Sequence, residues 1–419
     1  MLHAALTTFL LLQTASGSPN VAPPAASSGA VNPAAPGAPP SQAGEPGSPD
    51  APAPTPGRAA TPTPAARRSP TPSAKASGDN LLVVNKTDNT VSILDAATGK
   101  LRASVPVEAG PHEVEVLRDG QVAAVSSYGT RAAPGRTVTL IDLSTAKAVS
   151  QIDIGEGSRP HGMKALPDGR LLVTAEGKRE LVVVDPNAAR VTARFPTGHD
   201  LSHLVAAAPD GRRAYVTSLS PGSLTVLDLV SGKIVKDIPT GKGAEGLDVT
   251  PDGREVWVTN REANTISVID VKTLAAVFTI QASEFPIRVK ITPDGRRAVA
   301  TFTGTGDVRV YDTATRVEAS RIPIGRDAVE GTETRVFQKR FGTSPAPIGL
   351  LLAPDGKRAF VSAAHADVVA VIDLEKLRVE DAWTSGREPD GLAASYGPKT
   401  PVPTPRPTPA PRPTMRRPG

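Results

Sequence analysis

Three of the chain's six histidines, His112, His161 and His203, share one register, each seven residues before the aspartate of an Asp-Gly turn. Glu245, Ile287 and Ile348 continue that register, and residues 388–395 align so that Asp390 completes it. Neutral imidazole with carboxylate is a donor set for Zn, Cu, Ni or Fe. His112, His161 and His203 are therefore candidate ligands of a divalent transition metal. Stacked sheets lie roughly 10 Å apart, so five such side chains on separate sheets do not all reach one ion. Neighbouring pairs can converge, and the others then form a polar wall. Three residues further on stand Glu115 and Lys164, then Asp248 and Lys290. Their opposite signs predict salt bridges between neighbours rather than acids and bases. No Gly-rich phosphate loop, nucleophile elbow or His-Glu-x-x-His helix is present.

The elements that must hold this register are repeats. Pro-Asp-Gly occurs at 167–169, 209–211, 251–253, 293–295 and 354–356, with Arg-Asp-Gly at 118–120. From Asp168 to Asp294 the period is 42 residues at every step. A β-rich run ending in aspartate recurs seven times, at Asp95, Asp142, Asp185, Asp228, Asp270, Asp312 and Asp373. Periods near 40–45 with four strand-like segments each predict propeller blades. In the copy at 247–281, strand A begins near Leu247, and strands B, C and D fall at 255–260, 265–270 and 275–280. The turn aspartates read as acceptors of their own backbone N–H groups. The segment at 81–85 is a strand B with no strand A before it, and 388–396 is a strand A with no blade after it. The expected fold is thus all-β: seven four-stranded antiparallel blades over 79–396, closed by the C-terminal strand, which removes exposed sheet edges.

The run VWVTNREANTISVID (256–270), with Asn260 between strands bounded by Pro-Asp-Gly, resembles the YVTN-repeat family of extracytoplasmic seven-bladed propellers. The resemblance covers about residues 80–396 and is specific for fold rather than activity. It implies surface-protein, lactonase-like or haem- and quinone-linked redox roles. In a lactonase-like hydrolase, His112, His161 and His203 would hold the metal and Glu245 would act as base.

Both departures from the period fall on the face that carries the start of strand A. The B–C connection at 126–137 is longer than its counterparts, and the connection at 325–345 adds 19 residues. Insertions on one face of a repeat protein mark its working face. The second insertion carries Phe337 and Phe341 among Arg335, Lys339 and Arg340, the composition of a lid with an apolar underside. The expected ligand site is therefore the channel mouth: His112, His161, His203, Glu245 and Asp390 on one side, and Ile287, Ile348 and Phe337 on the other. Mostly apolar walls with a few convergent polar groups are usual for a pocket.

The remaining segments set the boundaries. Residues 1–17 read as a secretory signal with an apolar run at 4–12. Residues 18–78 hold 16 prolines and 397–419 hold 9, so both read as disordered flanks. Of the net charge of +5, the tail carries +5 and the 18–78 linker +2, leaving −2 for 79–396. The basic balance therefore belongs to the flanks and does not point to nucleic acid. It suits contact of the tail with an anionic envelope surface. No segment has membrane-spanning length. With no cysteine, disulfides, thiol catalysis, iron–sulfur clusters and c-type haem attachment are excluded. The favoured reading is a non-catalytic binding scaffold in the periplasm or at the cell surface, for a protein, glycan or small molecule. The alternatives are the metal-dependent lactonase and a redox subunit with a noncovalent cofactor.

Overall fold

The computed structural model describes residues 78–117, 120–327, 329–330, 335 and 337–397. The signal segment, nearly all of both flanks, Arg118 and Asp119 of the first turn, and Val336 of the long insertion lie outside them. Among the described residues, 28 strands form seven four-stranded antiparallel sheets. Blade 1 is built from both ends of the repeat region. Its inner strand, Pro389–Ser395, pairs with Asn80–Asn85, placing Leu82 opposite Ala393 and Val83 opposite Leu392. The sequence register for closure is thus the one found.

Blade 5 shows the repeat in full: Ala244–Val249, Glu255–Asn260, Thr265–Asp270 and Ala275–Gln281. Strand A begins three residues earlier than expected. Gly253 takes a φ of 71° in the A–B turn, where the Asp252 carboxylate accepts the Arg254 backbone N–H. Asp270 likewise accepts the Thr273 N–H after strand C. Seven apolar clusters fill the seven gaps between adjacent blades, including the gap between blades 7 and 1, where Phe360, Val371 and Trp383 meet Leu81, Val83 and Leu392.

The inner strands leave their ladders near the channel mouth. In blades 2–7 the A–B pairing shifts just after the first residue of strand A, as between Ala244 and Leu247. A strand-B hydroxyl fills the break. Thr217 accepts the Leu204 N–H and donates to the Glu245 carbonyl of the next blade at 2.6 Å. Thr174, Thr259, Thr301 and Ser362 donate in the same way to the carbonyls of His203, Ile287, Ile348 and Asp390. These hydroxyls hold five of the seven mouth positions at their backbone. Glycine follows four of the seven mouth positions, and a Cβ on Gly246 would lie 2.2 Å from the Ile287 carbonyl oxygen of the next blade. Thr217→Val keeps the shape but leaves a buried amide and a buried carbonyl without this partner. It is expected to lower stability by about 1–3 kcal/mol, read as a lower urea midpoint with an unchanged slope.

Candidate functional site

Every mouth residue expected from the register is the second residue of its inner strand. His112 lies in Pro111–Val116, His161 in Pro160–Ala165, His203 in Ser202–Ala207 and Glu245 in Ala244–Val249. Ile287, Ile348 and Asp390 lie in Pro286–Ile291, Pro347–Leu352 and Pro389–Ser395. All seven, together with Phe337, line one cavity of about 260 Å³. A second ring, not expected from the sequence, lines it too: Lys86, Tyr128, Glu176, Leu219 and Arg261. Each stands two residues after the strand-B hydroxyl position (Val84 in blade 1), and that common register was the available signal. The 126–137 insertion, which includes Tyr128, does not form the long loop expected. It extends the hairpin instead, with strands Val122–Gly129 and Pro134–Asp142.

The polar side is a chain of paired groups. Lys86 Nζ donates to His112 Nε2 at 2.8 Å, which leaves the proton on Nδ1, 2.9 Å from Asp390 Oδ2. Burial opposes the charge on Asp390, but His112, Lys86 and Arg288 hold its pKa down to about 2. The His161 ring lies between those of His112 and His203, with centroids 4.0 and 3.9 Å away. It is 1% exposed, and its Nδ1 has no hydrogen-bond partner. Burial, then the neighbouring His203, His112, Arg288 and Lys86, push its pKa well below 6.5, so it is a neutral imidazole.

His203 has the opposite character. Its Nδ1 lies 3.0 Å from Glu176 Oε2 and its Nε2 2.9 Å from Glu245 Oε1. Burial would lower its pKa, yet the two carboxylates raise it to about 9, giving an imidazolium. Tyr128 Oη donates to the other oxygen of Glu176 at 2.9 Å. Glu245 also accepts from Arg261 at 2.6 Å and Arg288 at 3.2 Å. Despite burial, these cations keep it ionised far below the usual carboxylate range. A carboxylate so committed is a weak proton acceptor, which speaks against the base role set out for Glu245 above.

Arg288 reaches across from blade 6 to Glu113 on blade 2 at 2.6 Å as well as to Glu245. Arg288 lines both the mouth cavity and a second cavity of about 270 Å³ further down the strands, where Glu115, Lys164, Asp248 and Lys290 stand. Of the two salt bridges expected there, Lys164–Glu115 forms at 2.7 Å. Asp248 and Lys290 do not pair; Asp248 Oδ2 accepts the Ile291 backbone N–H at 2.8 Å instead.

The apolar side is built as the insertion's composition suggested. Phe337 and Phe341, the latter in the short helix Gln338–Phe341, pack on a cluster of Phe285, Ile287, Ala346, Ile348 and Ala364. Phe285 lies 5.0 Å from each of the two phenylalanine rings, and Arg340 covers its face at 4.3 Å. Arg335 anchors the segment through Asp367 and the Ala364 carbonyl.

Three imidazoles around one ion, as the lactonase-like alternative requires, is not how the histidines gather. Among the described residues, donors within 4.8 Å of one another form two groups: His112, Glu113 and His161, and His161, Glu176 and His203. His161 belongs to both, and Glu245 to neither.

Residues 71–171 match the YNCE-like β-propeller family, and residues 170–303 match the cytochrome D1 haem domain. No curated protein matches the chain. Among solved structures, a functionally unknown protein from Desulfotomaculum acetoxidans DSM 771 is 14% identical with a TM-score of 0.63, over 76% of this chain and 99% of that one. Hydrazine synthase from Kuenenia stuttgartiensis is 20% identical with a TM-score of 0.55, over 70% and 92%. The dihydro-haem d1 dehydrogenase NirN, in complex with DHE, is 19% identical with a TM-score of 0.53, over 75% and 74%. At these identities the solved structures bear on the fold alone.

Proposed function

For a chain that is a seven-bladed propeller resembling the YNCE-like family, we propose a non-catalytic binding role, with the mouth cavity as the site for a small molecule. The observation that carries this reading is that seven mouth positions and the lid residue Phe337 line one cavity with a charged side and an apolar side. About 260 Å³ lies just below the roughly 300–1,000 Å³ of pockets that hold drug-sized ligands. The ligand is accordingly small: one polar group toward His161, Lys86 and Arg261, and an apolar part toward Ile287, Ile348 and Phe337. Export to the periplasm or cell surface, with the basic tail against an anionic envelope, completes the reading, and fractionation of cells that make the chain decides it.

A haem belongs by name to the domain family matched at 170–303. The mouth does not fit one. A tetrapyrrole is drug-sized or larger, and a cavity of about 260 Å³ is too small to enclose one. The hydrolase reading loses its base for the reason given for Glu245.

The test is an NMR and thermal-shift screen of the full chain against monosaccharides, amino acids and short hydroxy acids. His161→Ala and Phe337→Ala should each weaken a binder at least 10-fold, while Asp252→Asn in an opposite-face turn should leave it unchanged. Sensitivity to the turn and indifference to the mouth would sink the reading.

A further inference from the structure

We propose that His161, Glu176 and His203 form a binding site for one divalent transition-metal ion, with a coordination position open to the mouth cavity. This inference does not rest on the binding of an organic ligand. Four observations converge on it.

The first is distance. One ligand atom from each residue lies within 4.8 Å of the others, and all three residues are buried. The 3.0 Å between His203 Nδ1 and Glu176 Oε2 is the separation of two donors each about 2.0–2.1 Å from one ion at a right angle. A metal can therefore take the place of the proton between them with little movement of either side chain.

The second is an unmet polar atom. His161 Nδ1 is buried without a partner in a residue 1% exposed. A buried imidazole nitrogen left unpaired is destabilising, and here a neutral ring, the form that ligates metals, stands beside two other donors.

The third is what stands behind the donors. A metal-binding histidine usually gives its other N–H to a carboxylate, and a ligating carboxylate is itself hydrogen-bonded. His203 Nε2 has Glu245 Oε1 at 2.9 Å, and Glu176 Oε1 accepts from Tyr128 at 2.9 Å. Glu245 is fixed in turn by Arg261 and Arg288.

The fourth is the contrast with the other group. His112 Nε2 accepts from Lys86, and Glu113 is held by Arg288. Those donors face cations that a metal would have to displace. Two nitrogens and one carboxylate oxygen suit Zn²⁺, Ni²⁺, Cu²⁺ or Fe²⁺ rather than Ca²⁺ or Mg²⁺.

The experiment is Zn²⁺ titration of the full chain after dialysis against a chelator, with bound metal counted after desalting. One ion per chain is expected. Glu176→Gln, which keeps size and shape, and His161→Ala should each reduce affinity at least 100-fold. Tyr128→Phe should reduce it about 10-fold, as loss of a supporting hydrogen bond does. His112→Ala should change it less than about 3-fold, with circular dichroism confirming the fold of each variant. Absence of Zn²⁺ binding by the unmodified chain, or full affinity in Glu176→Gln, overturns the inference. So does loss of binding in His112→Ala alone, which assigns the ion to the other group. Zn²⁺ bound 1:1 by a chain that takes up no organic molecule would uphold this inference while removing the ligand reading.

Discussion

A chain that stops at Glu388 is expected to lose its cooperative unfolding transition or to self-associate, although little of the folded part has been removed. The deleted inner strand, Pro389–Ser395, pairs along Asn80–Asn85, a strand buried at every position. Its loss bares a row of unpaired amides and carbonyls and uncovers Leu81 and Val83, which pack against Leu392. Open strand edges recruit other chains. The loss is on the order of 5 kcal/mol or more, comparable with the whole stability of many domains. A chain ending at Gly397 is the control and should unfold as the full chain does. A monomeric truncated protein with amide protection intact across 81–84 would show that closure does not depend on this strand.

Glu245→Gln carries the second large effect. One carboxylate holds an imidazolium and two guanidiniums in a buried site; the amide takes the carboxylate from Arg261 and leaves His203 with Glu176 alone and Arg288 with Glu113 alone. Breaking one partner out of a buried ionic group is worth about 3–5 kcal/mol. The pH dependence should change with it. His203 has a folded pKa of about 9 against its ordinary 6.5. Its contribution to stability is fully present below pH about 6.5 and is lost as pH rises through about 9. Glu245, with its pKa depressed, contributes above its ordinary 4.5 and loses that contribution only in stronger acid. In Glu245→Gln the alkaline loss should shrink, and the His203 titration followed by NMR on chelator-treated protein should move down toward 6.5. An unchanged midpoint near 9 would mean that Glu176 alone sets the charge of the ring.

The parts of this site that repeat were legible in the sequence. A fixed spacing to the Asp-Gly turn placed His112, His161, His203 and Glu245 at one level, because in a propeller equal sequence offset means equal height on the inner strand. The apolar side was legible because Phe337 and Phe341 sit in an insertion beside Ile287 and Ile348. What stayed hidden were groups whose chemistry differs from blade to blade. Lys86, Tyr128, Glu176, Leu219 and Arg261 share a register but no residue type. Arg288 and Glu113 occupy the position that is glycine in blades 1, 3, 5 and 7. Strand alternation would point them away from the side that Ile287 and His112 face. The shift in each inner ladder, between Pro286 and Val289 and between Pro111 and Val114, breaks that alternation.

The claim on which the account turns is that the mouth takes a small molecule between its charged and apolar sides. Ile287 and Ile348 are the only isoleucines among the cavity's lining residues, so their δ1 methyl groups report on it directly. In protein labelled at isoleucine methyls, a molecule from the screen should shift Ile287 and Ile348 together, in proportion to occupancy, and Phe337→Ala should abolish the shifts. If those two methyls stay fixed while others, such as the exposed Ile234 on an outer strand, move, the ligand binds elsewhere and the mouth is not the site.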